Sequence, residues 1–223
     1  MAFIVAIDGP AGSGKGTITK LVGEKTNLVN VDTGAMYRCV TLACLNQNIK
    51  CDEIEKIEQV LNNIDIKLKR IDNKELVFLN GKDVTKEIRL TDVNENVAKF
   101  AAIKNVRDKI TPMEQEMGKT IDIIMEGRDI GTVVFPNADV KIFLDCSVEE
   151  RARRRYKQNI EKGINQSYEE VLENIKQRHK LETERDIAPL VQAEDAIYID
   201  STNLTIEEVT DKIVNIIKEK RNS

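Results

Sequence analysis

Residues 3 to 22 read FIVAIDGPAGSGKGTITKLV, and the order of that text decides the fold. Phe3-Ile4-Val5-Ala6-Ile7 has the length and β-branched content of a buried strand. Gly9-Pro10-Ala11-Gly12-Ser13-Gly14-Lys15-Gly16-Thr17 comes next, and Ile18 to Val22 reads as the opening of a helix. A strand, a glycine-rich turn and a helix N-terminus make an anion cradle. The glycines let backbone N–H groups converge on phosphate oxygens, the helix adds the positive end of its dipole, and the Lys15 ammonium reaches the outer phosphates. The pattern GxxxxGK[ST] is met except at its last position, where Gly16 intervenes and makes Thr17 the candidate hydroxyl beside magnesium. The implied ligand is ATP or GTP, held by Gly9 through Thr17. A glycine turn with no ligand is the bland alternative, and the flanking strand and helix disfavour it.

Outward from this loop, four more apolar segments have the character of buried parallel strands: Leu28 to Val31, Ile121 to Met125, Val140 to Leu144 and Ala196 to Ile199. Helical patterns separate most of them. After the last, Thr205-Ile206-Glu207-Glu208 reads as a capping box, and Ile206, Val209, Ile213 and Ile216 follow at helical spacing. Alternating strands and helices predict an α/β fold, a parallel sheet of five strands with helices on both faces and ligands at the carboxyl ends of the strands. Two stretches break the alternation. Ile64 to Ile88 alternates around Asp72-Asn73 and again around Asn80-Gly81, which suits a tight hairpin, so a small antiparallel appendage is expected. Glu149 to Asp186 is highly charged, carries RARRRY at Arg151 to Tyr156 and reads as a helical flap. Both look like insertions into one core.

Composition narrows the function. The chain has 223 residues, 41% hydrophobic and 32% charged, which suits one large globular domain or two small ones and is too apolar for disorder. Such a chain buries roughly 70–75% of its unfolded surface without disulfide or metal staples. With 34 basic and 38 acidic residues, a net charge of −4, no Trp and 4% aromatics, there is neither a global cationic field nor a stacking platform for nucleic acid. No apolar run is long enough to span a membrane, and the basic start of a signal peptide is missing, so the cytoplasm is the expected location. Cys39, Cys44, Cys51 and Cys146 lack CxxC spacing, and the only histidine, His179, is far from them in sequence; reduced thiols are expected and no zinc quartet. His179, in the flap, is expected at the surface.

The segments after the other strands show what is done with the nucleotide. Asp32-Thr33-Gly34-Ala35-Met36-Tyr37-Arg38 follows the second strand, and Glu126-Gly127-Arg128-Asp129-Ile130-Gly131-Thr132 the third. Arg38, Arg128 and Arg185 are candidates for a second anion site, since guanidinium forks match phosphate oxygens. The base-reading NKxD of a GTPase is absent from the core strands, and a mechanical ATPase would call for further modules. A small kinase with a lid fits better. A kinase with another acceptor, UMP or a small metabolite, and a regulatory module that binds ATP without transfer remain open at this point.

GPAGSGKGT, DTGAMYR, DVTKEIR, EGRDIGTVVFPNADVKIFLD, RARRRY and RDIAPL, in that order along essentially the whole chain, resemble the bacterial cytidylate kinases of the nucleoside monophosphate kinase superfamily. The resemblance implies a P-loop kinase fold with a core over 1–32, 97–146 and 187–223, a nucleoside monophosphate-binding region over 33–96 that contains the small antiparallel sheet, and a helical lid over 147–186. It implies Mg²⁺-dependent transfer from ATP to CMP or dCMP by a monomer. Lys15, Arg128, Arg154 and Arg185 would be catalytic, and Arg154 or Arg155 would reach the donor phosphates. Thr33 and Arg38 would meet the acceptor, Arg107 and Asp129 the cytosine edge, Arg178 the sugar, and Arg128 and Arg185 the acceptor phosphate. The sequence departs from the family pattern at Ala98, where a serine is usual, at Glu126, where Asp is usual, and at His179 and Glu182, where aspartates are expected. These positions leave the choice among CMP, dCMP and UMP open.

Overall fold

The computed structural model describes residues 2–71, 74–161 and 163–222, so the Asp72-Asn73 turn lies outside the described residues. The chain separates into two units, residues 1–30 with 117–223, and residues 31–116.

The first unit holds the sheet. β1 (Ile4–Asp8) pairs in parallel with β6 (Ile123–Gly127) on one side and β7 (Val140–Asp145) on the other, and β8 (Ile197–Asp200) pairs with β7. β2 (Val29–Asp32) takes the remaining edge, giving the order β2-β6-β1-β7-β8. Five strands were expected and five are found, displaced by up to two residues. The largest displacement is at β6, where Ile121 is 47% exposed and Ile123 fully buried. β1 starts every ladder register that matters here, with Ile7 opposite Glu126 and Asp8 opposite Gly127. Val5, Ile7, Ile124, Ile142, Leu144 and Ile199 form the core with Ile18 and Val22 of α1 (Lys15–Thr26) and Val209, Ile213 and Ile217 of α8 (Ile206–Arg221). Of the expected stripe Val209 and Ile213 are buried, whereas Ile206 is 55% exposed and Ile217 takes the fully buried place in the last turn, with Ile216 only partly buried beside it. The capping box is present as expected: Glu208 N–H donates to Thr205 Oγ1 and Thr205 N–H to Glu208 Oε2.

The charged flap forms two helices, α6 (Val148–Glu161) and α7 (Tyr168–Glu184). Ala152, Val171 and Ile175 are buried between them, Tyr156 and Tyr168 meet edge to face at 6.1 Å, and a second capping box, Ser167 with Glu170, starts α7.

The second unit contains α2 (Thr33–Leu45), α3 (Ile54–Asn62), α4 (Thr91–Phe100) and most of α5 (Lys104–Met117), with a three-stranded antiparallel sheet of β3 (Ile66–Ile71), β4 (Lys74–Leu79) and β5 (Lys82–Asp83). α2 packs on α3 and α4. The Asn80-Gly81 hairpin is borne out. Both residues have positive φ, 50° and 82°, the geometry of a two-residue turn whose twist matches its strands.

Candidate active site

β1 ends at a bend that only glycine can make. A Cβ on Gly9 would lie 2.0 Å from the Leu144 carbonyl oxygen of β7, so the absence of a side chain lets the loop cross the sheet edge and turn back. Gly12 and Gly14 hold positive φ, 84° and 92°, and Gly14 leads into α1 without a side-chain cap. The first N–H groups of α1 are thereby left to a ligand. Lys15 is 4% exposed, and its ammonium donates to the Pro10 carbonyl at 2.8 Å and to Ser13 Oγ at 3.3 Å. Burial, then the Arg128 charge, lowers its pKa to about 7 against the pull of Glu126, Glu182 and Asp8. A polyanion beside it would restore the charged form.

A cleft of about 430 Å³ opens beside this loop, lined among others by Gly14, Thr17, Arg154, Gln158, Ser201 and Leu204. Arg154 is built into its wall. It donates to the Ser13 carbonyl at 3.1 Å and to the Ser201 carbonyl at 2.8 Å, with Glu150 Oε1 accepting from its Nε at 2.7 Å. Arg155 sits one residue on, donating to Gln158, and burial with the Arg178 and Arg128 charges holds its pKa below the ordinary arginine value. The structure thus brings Gly9 to Thr17, Arg154 and Arg155 to one end of the first unit.

The loop after β6 supplies the second group. Arg128 forms an ion pair with Glu182 at 3.0 Å, and Arg178 donates to the same carboxylate at 2.8 Å. Glu182 is 4% exposed. Burial pushes its carboxyl up, but Arg128 and Arg178 pull it further down, to about 2. Arg185 lies 3.5 Å from Asp129 Oδ1 and donates through Nε to the Ala188 carbonyl at 2.8 Å. Ala188 carries a φ of 49°, an uncommon conformation for alanine that turns this carbonyl toward Arg185. Arg128, Asp129, Arg178 and Arg185 are therefore neighbours through shared acids.

Thr33, Arg38 and Arg107 belong to the second unit. Asp32 caps α2 by accepting from Ala35 N–H at 3.2 Å, and it lies 3.9 Å from Arg38 and 3.3 Å from Arg89. Arg38 Nε donates to Asn94 Oδ1 at 3.3 Å. A Cβ on Gly34 would come within 2.7 Å of the Arg38 guanidinium. Thr33 is buried at the start of α2. Arg107, 4% exposed, donates to the Ala101 carbonyl and stacks on Tyr37 at 5.5 Å. Ala98 is buried in α4.

The expectation of a surface His179 needs correction. The residue is only partly exposed, its Nδ1 is buried without a hydrogen-bond partner, and burial together with the Arg151 charge lowers its pKa. The cysteines are free, with Cys39, Cys44 and Cys146 buried, and burial pushes the Cys39 thiol up to about 12.

Sequence reading missed Asp8, Glu150 and Ser201. Glu150 carried a signal, four residues before Arg154 on a helix. Asp8 carried only its place at the carboxyl end of β1, and Ser201 its place just beyond β8.

For magnesium, the donor set is sparse: among the described residues no cluster of three His, Cys, Asp or Glu could hold a metal ion. Thr17 lines the cleft beside the loop, and a Cβ on Gly16 would lie 2.9 Å from Glu126 Oε1. One hydroxyl and a nearby carboxylate fit an ion carried mainly by triphosphate oxygens.

Comparison with known proteins gives the family. The family model described as Cytidylate kinase matches residues 5–219. A cytidylate kinase of Bacillus subtilis (strain 168) is 46% identical over 97% of this chain and 96% of its own. One from Caldicellulosiruptor saccharolyticus is 50% identical over 95% and 94%. A solved structure of an uncharacterized protein from Eubacterium ventriosum shares the fold, with a TM-score of 0.54 and 12% identity, covering 98% of this chain and 99% of that one.

Proposed function

This chain belongs to the cytidylate kinase family, and from that premise we propose how its residues carry out Mg²⁺-dependent transfer of the ATP γ-phosphoryl group to CMP and dCMP. The enzyme is a nucleoside monophosphate kinase that phosphorylates CMP. The acceptor phosphate has a second pKa of about 6, so near neutrality it is largely a dianion and already nucleophilic. No general base is needed. The obstacle is repulsion between two polyanions and the charge that spreads over the transferring group.

The loop Gly9 to Thr17 holds the donor phosphates, and the donor base and sugar occupy the cleft walled by Arg154, Ser201 and Leu204. Arg155 adds its charge to the donor side. Thr17 would hold Mg²⁺ together with the ATP phosphates, and the bound ion neutralises charge on those oxygens. Lys15 leaves the Pro10 carbonyl for the outer phosphates. Arg128 and Arg185 take the acceptor phosphate, Asp129 accepts from the exocyclic amine of cytosine, and Arg178 approaches the sugar. Thr33, Arg38 and Arg107 of the second unit are assigned to the acceptor on the family resemblance. Uracil lacks the amine that Asp129 would receive, which gives a physical reason for preferring CMP. Helices α6 and α7 are proposed to act as a lid that excludes water, the competing acceptor.

The observation that carries this reading is the buried Lys15 within the charge field of Arg128 and Glu182, a donor cradle adjoining an arginine pair. The test is ADP formation from Mg-ATP with CMP, dCMP, UMP, AMP and GMP offered singly. Stimulation by CMP and dCMP alone supports it, comparable UMP activity points to a base pocket altered at Ala98, and stimulation by none refutes it. Among the described residues no helix is long and apolar enough to cross a membrane.

A further inference from the structure

The turn that carries Asp129 is capped from an unexpected place. Ile130–Val134 forms a single wide helical turn in which Val134 N–H donates to the Asp129 carbonyl and Phe135 N–H to that of Ile130. Its first two N–H groups have no partner within the turn, as at any helix start. An aspartate at the opening position commonly folds its own carboxylate onto such groups. Asp129 does not: its side chain makes no cap hydrogen bond and lies 3.5 Å from Arg185 instead. Asp8, 122 and 123 residues away, accepts from Ile130 N–H through Oδ1 at 2.8 Å and from Gly131 N–H through Oδ2 at 2.7 Å.

Both Asp8 oxygens are thus committed to the turn, in a position 5% exposed to solvent. Burial raises the Asp8 pKa to about 6 even though both hydrogen bonds oppose that rise, so the carboxylate is kept in place at some electrostatic expense. Asp8 is also the last residue before Gly9 and the register partner of Gly127. One side chain therefore ties the strand that launches the phosphate loop to the turn that presents Arg128 and Asp129.

We propose that Asp8 is a positioning residue for the acceptor: by capping the turn Ile130–Val134 in place of Asp129, it leaves the Asp129 carboxylate aimed at Arg185 and at the base. This rests on the reading of Asp129 as the cytosine contact. Losing Asp8 lets Asp129 swing back to cap its own turn, so base recognition suffers while donor binding is largely kept.

Steady-state kinetics with CMP and UMP test this in the wild type, Asp8→Asn, Asp129→Asn and the double variant. The amide retains one acceptor oxygen and sets an NH₂ against the second backbone donor. Asp8→Asn should raise KM for CMP about tenfold, change KM for ATP by less than about threefold and lower the CMP-to-UMP preference. Added to Asp129→Asn, it should cost less than about threefold more, because both act through one carboxylate. An unchanged KM for CMP, an equal rise in KM for ATP, or fully additive losses would overturn the proposal. If Asp8→Asn fails to fold, Gly131→Ala serves. Its Cβ would stand 3.4 Å from Asp8 Oδ2 and 3.2 Å from the Lys141 side chain, and the same CMP-selective rise is expected. No rise would count against Asp8. A wild type unstimulated by CMP, or an Asp129→Asn enzyme with unaltered CMP preference, would instead overturn the base-reading assignment and this inference with it.

Discussion

The proposed donor and acceptor machineries are built on opposite plans. The loop proposed for the donor is nine consecutive residues, Gly9 to Thr17, and the parts assigned to it are backbone N–H groups and one lysine, all placed by the local path of a strand, a turn and a helix. The acceptor candidates are scattered from Thr33 to Arg185, and in the first unit Arg128 and Arg185 each meet an acid distant in sequence. Glu182 holds Arg128, Asp129 meets Arg185, and Asp8 holds the turn beneath them. Local backbone geometry can be encoded in a short motif. Arginines that must stay charged and oriented need buried counter-ions, which only packing supplies.

The sharpest break would come from the donor side. Lys15→Ala should lower kcat by about 10³-fold or more, since its charge acts where negative charge develops; near-normal ADP formation would show that the loop is not the donor site. On the acceptor side, Glu182→Ala should destabilise the fold by about 3 kcal/mol, because two partly buried guanidiniums lose their shared, buried carboxylate. Denaturant unfolding measures this, and a loss below about 1 kcal/mol would mean that the arginines find other partners.

The same carboxylate carries a pH signature. Its pKa falls from 4.5 to about 2 in the folded chain, so its stabilisation is complete above about pH 4.5 and drains as pH drops toward 2. The stability gap between wild type and Glu182→Gln should therefore be widest near neutrality and close on acidification. A gap that is flat from pH 7 to 3 would argue against the ion pair. More selectively, Asp129→Ala should cost CMP about tenfold more than UMP in kcat/KM, the worth of one charge-assisted hydrogen bond; equal losses would mean the base is read elsewhere. The smallest effect comes from a cap on the rim of the cleft, which Thr205 lines. Thr205→Ala should cost about 1 kcal/mol through the α8 cap, read by denaturant unfolding, and leave the KM for CMP unchanged.

The legible part of the molecule was the part governed by short-range rules. Strand content, the α8 capping box and the Asn80-Gly81 turn each follow from a few adjacent residues, and each is where the sequence placed it, to within two residues at the strand ends. Arg128, Asp129 and Arg185 could be named from their places after a strand or on the flap, but not why they are arginine and aspartate in a working orientation. Asp8 carried no spacing signal at all, since its partners Ile130 and Gly131 are more than 120 residues away. His179 was misplaced for a related reason. A charged flap reads as solvated, and only the folded chain buries the His179 Nδ1 and brings the Arg151 charge to the ring.

By itself the sequence determined that β1 leads through a glycine-rich turn into a helix start that carries Lys15, because glycine torsions, the lysine and the helix start are properties of contiguous chain. The tertiary structure decided which carboxylates were buried against which guanidiniums, because the energy of a charge depends on the dielectric and the partners around it, and folding brings those together from the whole length of the chain.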